Sequence, residues 1–311
     1  MSKPETDYSA VPEQDQHCGF IAVIGAPNAG KSTFVNAIVG TKVTIVSHKV
    51  QTTRMPIRGI AMAGHSQLIF IDTPGIFKPK RRLDRAMVKS AWSGANDADV
   101  VVVMIDAQKA VDDATRDLLG KLETTKGRKV LALNKIDRVP KEKLLERTQE
   151  LNTLAAFERT FMISSLKGHG VADIKQYLGT IVPQGPWHYP PDDVTDLPMR
   201  MLAAEITREK LFNRLHQELP YAATIETTKW TDLGPKGVRI EQIILVERDS
   251  QRVIVLGEGG RAIKQISMEA RRELADILER DVHLFLHVSV KEGWENDPDR
   301  YREMGLEFPK E

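Results

Sequence analysis

The 311-residue chain has one cysteine, Cys18. A lone thiol excludes an internal disulfide framework and a cysteine-cluster metal site, and it fits a reducing cytosol. Long apolar runs are missing too. No stretch approaches the ~20 apolar residues of a membrane span, so any contact with a membrane is expected to be peripheral. Met1 to His17 is polar and lacks the apolar core of a signal peptide. We read residues 1–17 as a disordered tail. There is no excess of charge either: 44 Lys and Arg stand against 43 Asp and Glu, a net charge of +1. Global electrostatics therefore favour no particular partner. No heptad pattern or long exposed strand pattern occurs, and a monomer is expected.

What the chain does contain is a phosphate-binding pattern. Gly25-Ala26-Pro27-Asn28-Ala29-Gly30-Lys31-Ser32 matches G-x-x-x-x-G-K-[ST], with an apolar strand (Phe20 to Ile24) before it and a helix-forming run (Thr33 to Ile38) after it. In such a loop the backbone N–H groups and the helix N-terminus surround phosphates, the lysine reaches the outer phosphates, and the serine hydroxyl takes Mg²⁺. A second buried strand, Leu68 to Ile71, runs into Asp72-Thr73-Pro74-Gly75, a DxxG element. Asp72 is expected to hold Mg²⁺ through water, and the Gly75 N–H to sense a γ-phosphate. A third strand, Val130 to Leu133, opens into Asn134-Lys135-Ile136-Asp137, an NKxD pattern. A carboxylate at Asp137 accepts two hydrogen bonds from guanine N1–H and N2–H₂, donors that adenine lacks, so GTP rather than ATP is the expected nucleotide. Ile163 to Gly168 resembles the last guanine-contacting loop, with amides near Ser164 and Ser165 turned toward O6.

The polar segment Gln51-Thr52-Thr53-Arg54 occupies the place of a first switch. One threonine there should close over Mg²⁺ when a γ-phosphate is present. Thr53 is favoured, with Thr52 as the alternative. The expected nucleotide set is thus Gly25 through Thr33, Asp72, Thr73, Pro74, Gly75, Asn134, Lys135, Asp137, Ser164 and Ser165. Mg²⁺ falls to Ser32, Thr53 and Asp72, and Lys31, Thr53 and Gly75 act on the reaction. One group is missing: Ile76 follows the DxxG, where Ras-type GTPases carry a water-positioning glutamine. Asn28 matches the asparagine that, in potassium-dependent relatives, helps hold a monovalent cation beside the phosphates. Its other reading is local side-chain to backbone bonding that stabilises the loop.

The chain exceeds the usual single-domain size, which predicts two domains. Alternating strands and helices up to Val182 imply a mostly parallel sheet covered on both faces. This α/β P-loop domain is placed at residues 18–183. Pro183, Pro186, Pro190, Pro191 and Pro198 then mark a semi-rigid linker over residues 184–197. An α+β domain follows over residues 198–293, with a tail over 294–311. Its helix pattern runs Met199 to Gln217, and strands are expected at Ala222 to Trp230, Arg239 to Val246 and Val282 to Val290. Between the last two, Gly257-Glu258-Gly259-Gly260-Arg261 opens a helix that carries Lys264. The glycine spacing, the arginine and the flanking elements match a KH module, whose loop clamps the backbone of single-stranded nucleotides. Val253 to Leu256 is strand or short helix; period does not decide. Phosphate contact must rest on a local patch, with Arg261, Lys264, Arg271 and Arg272 as candidates, and Glu258 opposes it.

GAPNAGKS, QTTR, DTPGI, NKID and SSLKG in this order, a proline-rich hinge, Glu205-Ile206-Thr207-Arg208-Glu209-Lys210, Glu218-Leu219-Pro220-Tyr221 and a KH loop together resemble the Era family of bacterial GTPases. The resemblance spans about Gly19 to Gly305. It implies an α/β P-loop GTPase domain followed by a type II KH domain, with GTP and Mg²⁺ as ligands; K⁺ is a further cofactor if Asn28 holds the monovalent cation, and Ile76 in place of the glutamine points to slow hydrolysis. It also implies binding of the 3′ end of small-subunit (16S) ribosomal RNA through Gly257, Glu258, Gly259, Gly260, Arg261 and Lys264, and a role in 30S subunit assembly. The implied location is cytoplasmic, with peripheral association at the inner membrane. The basic loop Lys78-Pro79-Lys80-Arg81-Arg82 is the cluster that could touch lipid headgroups or RNA, and otherwise a solvated face.

Overall fold

Runs such as Phe20–Ile24 and Val100–Ile105 are apolar at every position, the mark of strands covered on both faces by crossover helices. The computed structural model describes Tyr8, residues 11–215 and residues 221–309. It places these runs in a six-stranded sheet. The strands are β1 (His17–Ile24), β2 (Ile57–Ala63), β3 (Ser66–Asp72), β4 (Val100–Asp106), β5 (Arg128–Asn134) and β6 (Arg159–Met162), in the order β2-β3-β1-β4-β5-β6. Only β2 and β3 pair antiparallel; every other pairing is parallel.

Among the described residues of the unit the α-helices are α1 (Lys31–Val39), α2 (Arg82–Asp97), α3 (Asp113–Leu122), α4 (Lys141–Leu154) and α5 (Val171–Ile181). Helices α1 and α5 bury Phe34, Val35, Ile174 and Leu178 with Phe70, Val102 and Val130 of the sheet. Phe34 meets Phe70 edge to face at 6.0 Å. A second core joins Ala95, Leu119 and Leu151 of α2, α3 and α4 to Val103, Leu131 and Leu133. The mostly parallel α/β architecture expected from the sequence is the one observed.

The chain divides into two units, Met1–Thr44 with Thr53–Asp196, and Ile45–Thr52 with Leu197–Glu311. The second unit contains α6 (Met199–Arg214), β7 (Ala223–Asp232), β8 (Val238–Val246), α7 (Asp249–Leu256), α8 (Arg261–Leu278), β9 (Val282–Val290) and α9 (Pro298–Glu303). Its sheet has the order β7-β8-β9, antiparallel then parallel. A parallel pair needs a crossover, and α7 with α8 supplies it. Val253 to Leu256, undecided by period, is helical. Phe212, Ile225, Ile244, Val255, Ile266 and Val288 fill one part of the core. Ile206, Ile240, Ala270, Leu274 and Leu284 fill the other. The long helix ends at Arg214 rather than Gln217, and residues 216–220 lie outside the described residues.

Two boundaries differ from the sequence reading. Residues 184–196 form a strap bonded along the first unit, where a semi-rigid linker was expected. Gln184 bridges to His17, the Ile60 N–H donates to the Val194 carbonyl at 2.8 Å, and Arg58 pairs with Asp196 at 2.6 Å. Gln67 is fully buried. Its Nε2 donates to the Tyr189 carbonyl at 2.7 Å, and its Oε1 accepts the His188 and Tyr189 amides at 2.9 and 3.1 Å. Prolines had indicated stiffness, but they also hold a segment extended, so its carbonyls and amides face acceptors and donors of the sheet.

The C-terminal segment is packed rather than a tail. Trp294, Tyr301 and Leu306 are buried, Trp294 Nε1 donates to the Ala222 carbonyl at 3.1 Å, and Tyr301 stacks edge-on against Phe308 at 4.9 Å. These anchors follow no helical or strand period, which hid them. At the other end, residues 1–7, 9 and 10 of the expected tail lie outside the described residues, and His17 already belongs to β1.

Gln67→Ala should leave two part-buried amides and one carbonyl of the strap without their protein partner. The expected loss is about 2–4 kcal/mol of stability, read from urea unfolding followed by circular dichroism. An unchanged midpoint would show that the strap is not held by this residue.

Candidate nucleotide site and glycine loop

In a parallel sheet the connections leaving the carboxyl ends of the strands converge on one edge, and ligand sites are found there. In the first unit, β1 delivers Gly25, β3 delivers Asp72, β4 delivers Asp106, and β5 delivers Asn134 to that edge. The turn into α1 requires glycine at position 30. Its φ is +100°, and a Cβ would lie 2.2 Å from Asn134 Nδ2. Gly75 approaches Pro27 so closely that a Cβ would stand 2.9 Å from its nitrogen. The Ile76 N–H donates to the Gly25 carbonyl at 3.0 Å. The end of the DxxG element is thus fastened to the phosphate loop.

Lys31 is buried, and its Nζ donates to the carbonyls of Gly25 and Ala26 at 3.1 and 3.0 Å. Burial lowers its pKa to about 8, against the opposing pull of Asp72. Asp72 is fully buried. Its Oδ2 accepts from Ser32 Oγ at 2.7 Å, Thr44 Oγ1 at 2.8 Å and Thr53 Oγ1 at 3.4 Å. The Ser32 and Thr53 hydroxyls are 3.0 Å apart. The other carboxylate oxygen, Oδ1, is buried with no partner among the described residues. Burial pushes the Asp72 carboxyl above the usual range, the hydroxyls opposing. This all-oxygen set, with one orphaned carboxylate oxygen, suits a hard divalent cation such as Mg²⁺.

Of the two candidate threonines, Thr53 is the one that reaches this cluster. Thr52 Oγ1 instead donates to the Lys49 carbonyl at 2.8 Å. Thr44 was not anticipated, because it lies among the apolar Val43, Ile45 and Val46 with nothing to mark its hydroxyl. Thr73 Oγ1 donates to the Val23 carbonyl at 2.8 Å, which ties the element to β1.

On the base side Asn134 is buried. Its Nδ2 donates to the Ala29 carbonyl at 2.8 Å, and its Oδ1 accepts the Ser165 amide at 2.9 Å and the Ser165 hydroxyl at 3.0 Å. Lys135 has a φ of +66°. Its Nζ spans the Asn28 carbonyl at 2.8 Å and Asp106 Oδ2 at 2.7 Å. Asp137 Oδ1 accepts from Ser164 Oγ at 2.6 Å, and that bond holds its carboxyl below the usual range. The guanine loop differs from expectation in one respect. The Ser164 amide donates to the His169 carbonyl at 3.0 Å and the Ser165 amide to Asn134, so neither is turned toward O6. The side-chain oxygen of Asn134 captures the second amide, a long-range partner that the strand-end serines do not announce.

In the second unit the glycine loop is a single turn, Glu258–Gly260, joining α7 to α8. Arg261 and Glu258 pair at 2.6 Å with both side chains largely exposed. Lys264, Arg271 and Arg272 are exposed on α8, and Val253 and Ile254 are exposed large apolar side chains on α7. The sequence reading did not single out these last two.

Residues 20–135 match the family model described as 50S ribosome-binding GTPase, and residues 218–295 match the KH domain. The chain is 60% identical over 302 residues to a GTPase Era of Bradyrhizobium sp., covering 97% of this chain and 98% of the relative. It is 58% identical over 309 residues to that of Rhizobium meliloti, with 99% and 98% covered. A solved structure of Era with MgGDPNP and nucleotides 1506–1542 of 16S ribosomal RNA superposes with a TM-score of 0.88 at 34% identity, covering 93% of this chain and 99% of that one. Aquifex aeolicus Era Y63A bound to GDP and AlF₄⁻ gives 0.87 at 34% identity, with the same coverage. The chain belongs to the Era family of GTPases.

Proposed function

We propose that this chain is a GTP-hydrolysing switch that binds the 3′ end of small-subunit ribosomal RNA through its KH domain and serves assembly of the 30S subunit. The observation that carries the proposal is the convergence of the Ser32, Thr44 and Thr53 hydroxyls on the buried Asp72 carboxylate, whose other oxygen is orphaned. The solved relative holding MgGDPNP and a 16S fragment supports the RNA half.

The loop amides of Gly25 to Ser32 and the N-terminus of α1 would surround the phosphates. Lys31 would exchange its two carbonyl acceptors for phosphate oxygens, whose charge favours the ammonium form. Ser32 and Thr53 would ligate Mg²⁺, and Asp72 would hold it through water. The ion supplies charge neutralisation between the phosphates and polarises the transferred group. Gly75 N–H would report the γ-phosphate, Asp137 would accept the guanine N–H groups, and Asn134 and Lys135 would brace that loop against the phosphate loop. Because the Ser164 and Ser165 amides are committed, the Leu166 amide is the donor we assign to O6.

Ile76 has no group with which to orient water, and its side chain packs against the core beside β1 and β4. Help with hydrolysis therefore comes from elsewhere, and we assign it to a monovalent cation beside Asn28. In the KH domain, Gly257 to Arg261 and Lys264 would clamp the RNA backbone, and the exposed Val253 and Ile254 would lie against bases. The location is proposed as cytoplasmic with a peripheral membrane contact, carried by the exposed Lys78, Pro79 and Lys80. Among the described residues no helix is long and apolar enough to cross a membrane.

Asp137→Asn removes two charge-assisted hydrogen bonds and should weaken GTP binding by roughly 100-fold or more. Xanthosine triphosphate, whose C2 carbonyl accepts where guanine donates, should bind better than GTP. Undiminished GTP affinity by fluorescence titration would refute the guanine assignment. GTP turnover should be faster in KCl than in NaCl, with the difference abolished in Asn28→Ala; equal rates would remove the monovalent cation. A single-stranded oligonucleotide copying the 16S 3′ end should bind more tightly with a non-hydrolysable GTP analogue than with GDP, and less tightly as salt rises. Equal affinity in both states would end the idea of nucleotide control and leave the GTPase assignment standing.

A further inference from the structure

Asn36 lies near the end of α1, and its side chain is spent on the segment that follows the helix. Its Oδ1 accepts the Val43 and Thr44 amides at 2.9 and 3.0 Å, and its Nδ2 donates to the Thr44 carbonyl at 2.8 Å. One amide group therefore fixes residue 44 through both its N–H and its C=O. Val43 is buried and joins the core that holds Phe34 and Phe70, so the segment is also held from the neighbouring side chain. Asn36, Val43, Thr44 and Asp72 all belong to the first unit.

Thr44 is 1% exposed. Its Oγ1 donates to Asp72 Oδ2 at 2.8 Å, closer than Thr53 Oγ1 at 3.4 Å. Ser32 and Thr53 have a second task, since each would give its oxygen to Mg²⁺. Thr44 has no place in that ligand set. A buried hydroxyl on a backbone pinned at both ends has little freedom to leave its partner, and an unpaired polar atom there would be costly. The terminal torsion of an aspartate is soft and roughly two-fold, so the carboxylate needs an outside group to decide which oxygen stays with the hydroxyls. The other oxygen, Oδ1, is the one left without a partner among the described residues.

We infer that Thr44 is a positioning residue for the Mg²⁺ site, fixing the rotation of the Asp72 carboxylate from outside the ligand set, with Asn36 fixing Thr44 in turn. The inference rests on the proposed role of Asp72 toward Mg²⁺. Groups that hold a ligand in orientation contribute to metal affinity although they never touch the metal, and their loss typically costs 10–100-fold.

The test is Mg²⁺ binding to the full chain loaded with GDP, followed by titration calorimetry, which needs no turnover. Thr44→Val keeps the shape and removes the donor. It should weaken Mg²⁺ binding by about tenfold, with GDP affinity measured in EDTA close to that of the parent. Thr44→Ser returns the hydroxyl and should restore Mg²⁺ binding. Should Thr44→Val fail to fold, Thr44→Ala removes the same hydroxyl with less bulk and carries the same expectation. Parental Mg²⁺ affinity in a folded variant without the hydroxyl would overturn the inference. So would an equal loss in Thr44→Ser, which would trace the effect to packing. Asp72→Asn separates this failure from that of the underlying reading. Lost Mg²⁺ binding there beside parental binding in Thr44→Val would sink the inference alone, whereas parental binding in Asp72→Asn would remove the metal role of Asp72 and the inference with it.

Discussion

Much of the first unit is arranged around a single buried carboxylate. Asp72 ends β3 with no exposed surface, and an ionised carboxyl without water or a cation is costly to bury. Three hydroxyls, from Ser32, Thr44 and Thr53, all approach one of its oxygens, while the other is left without a partner among the described residues. Those hydroxyls come from the start of α1 and from both flanks of the first switch. Their convergence requires β1 and β3 to be parallel neighbours, and the register Val23 opposite Asp72 provides that. The same carboxylate opposes the loss of charge on Lys31. A divalent cation would satisfy the orphaned oxygen and favour the charged carboxylate, opposing the upward push of burial.

Ile76 shows how the site differs from one with a water-positioning glutamine. Its amide is fixed to Gly25 at 3.0 Å, and its side chain joins the apolar core on one face of the sheet. The position is used for anchoring rather than for activating water. Such anchoring keeps Gly75 against Pro27, where the absence of a Cβ is required. Any assistance to the attacking water has to come from charge near the phosphates or from a group outside the DxxG element.

The parts that were legible in the sequence are those whose chemistry is local. The phosphate loop, the DxxG element and the NKxD element each carry their donors and acceptors within a few residues of a strand end, so spacing alone locates them. The parallel sheet was legible because its strands are apolar without alternation. What escaped depends on partners far along the chain. Thr44 gains meaning only when folding sets it 2.8 Å from Asp72. The strap over residues 184–196 is held in part by one buried glutamine whose three bonds cannot be read from its neighbours. The amides of the guanine loop were assigned outward, yet Asn134 from another strand takes one of them. Trp294 and Tyr301 pack without any period.

Glu258 is the residue at which the charge of the glycine loop is decided. An acidic side chain beside a phosphate would repel it, and many KH loops place a cation there instead. Here Glu258 is paired with Arg261, but both groups are largely exposed, and an exposed pair of this kind contributes little stability. Arg261 is therefore free to trade the carboxylate for a phosphate at small cost, and the carboxylate can swing into water. The loop then carries two net positive charges fewer than a turn with a cation at position 258 would have. Fewer counterions are then released on binding, so the salt dependence of RNA affinity should be shallow for a KH domain. On the proposed placement of RNA, more of the affinity would come from contact between bases and the exposed Val253 and Ile254 of α7. Apolar contact and base-edge hydrogen bonding discriminate sequence, whereas phosphate contact does not. A loop weakened toward phosphate thus shifts the balance from tight, indiscriminate binding toward selective binding, which suits a protein that has to find one RNA end among many.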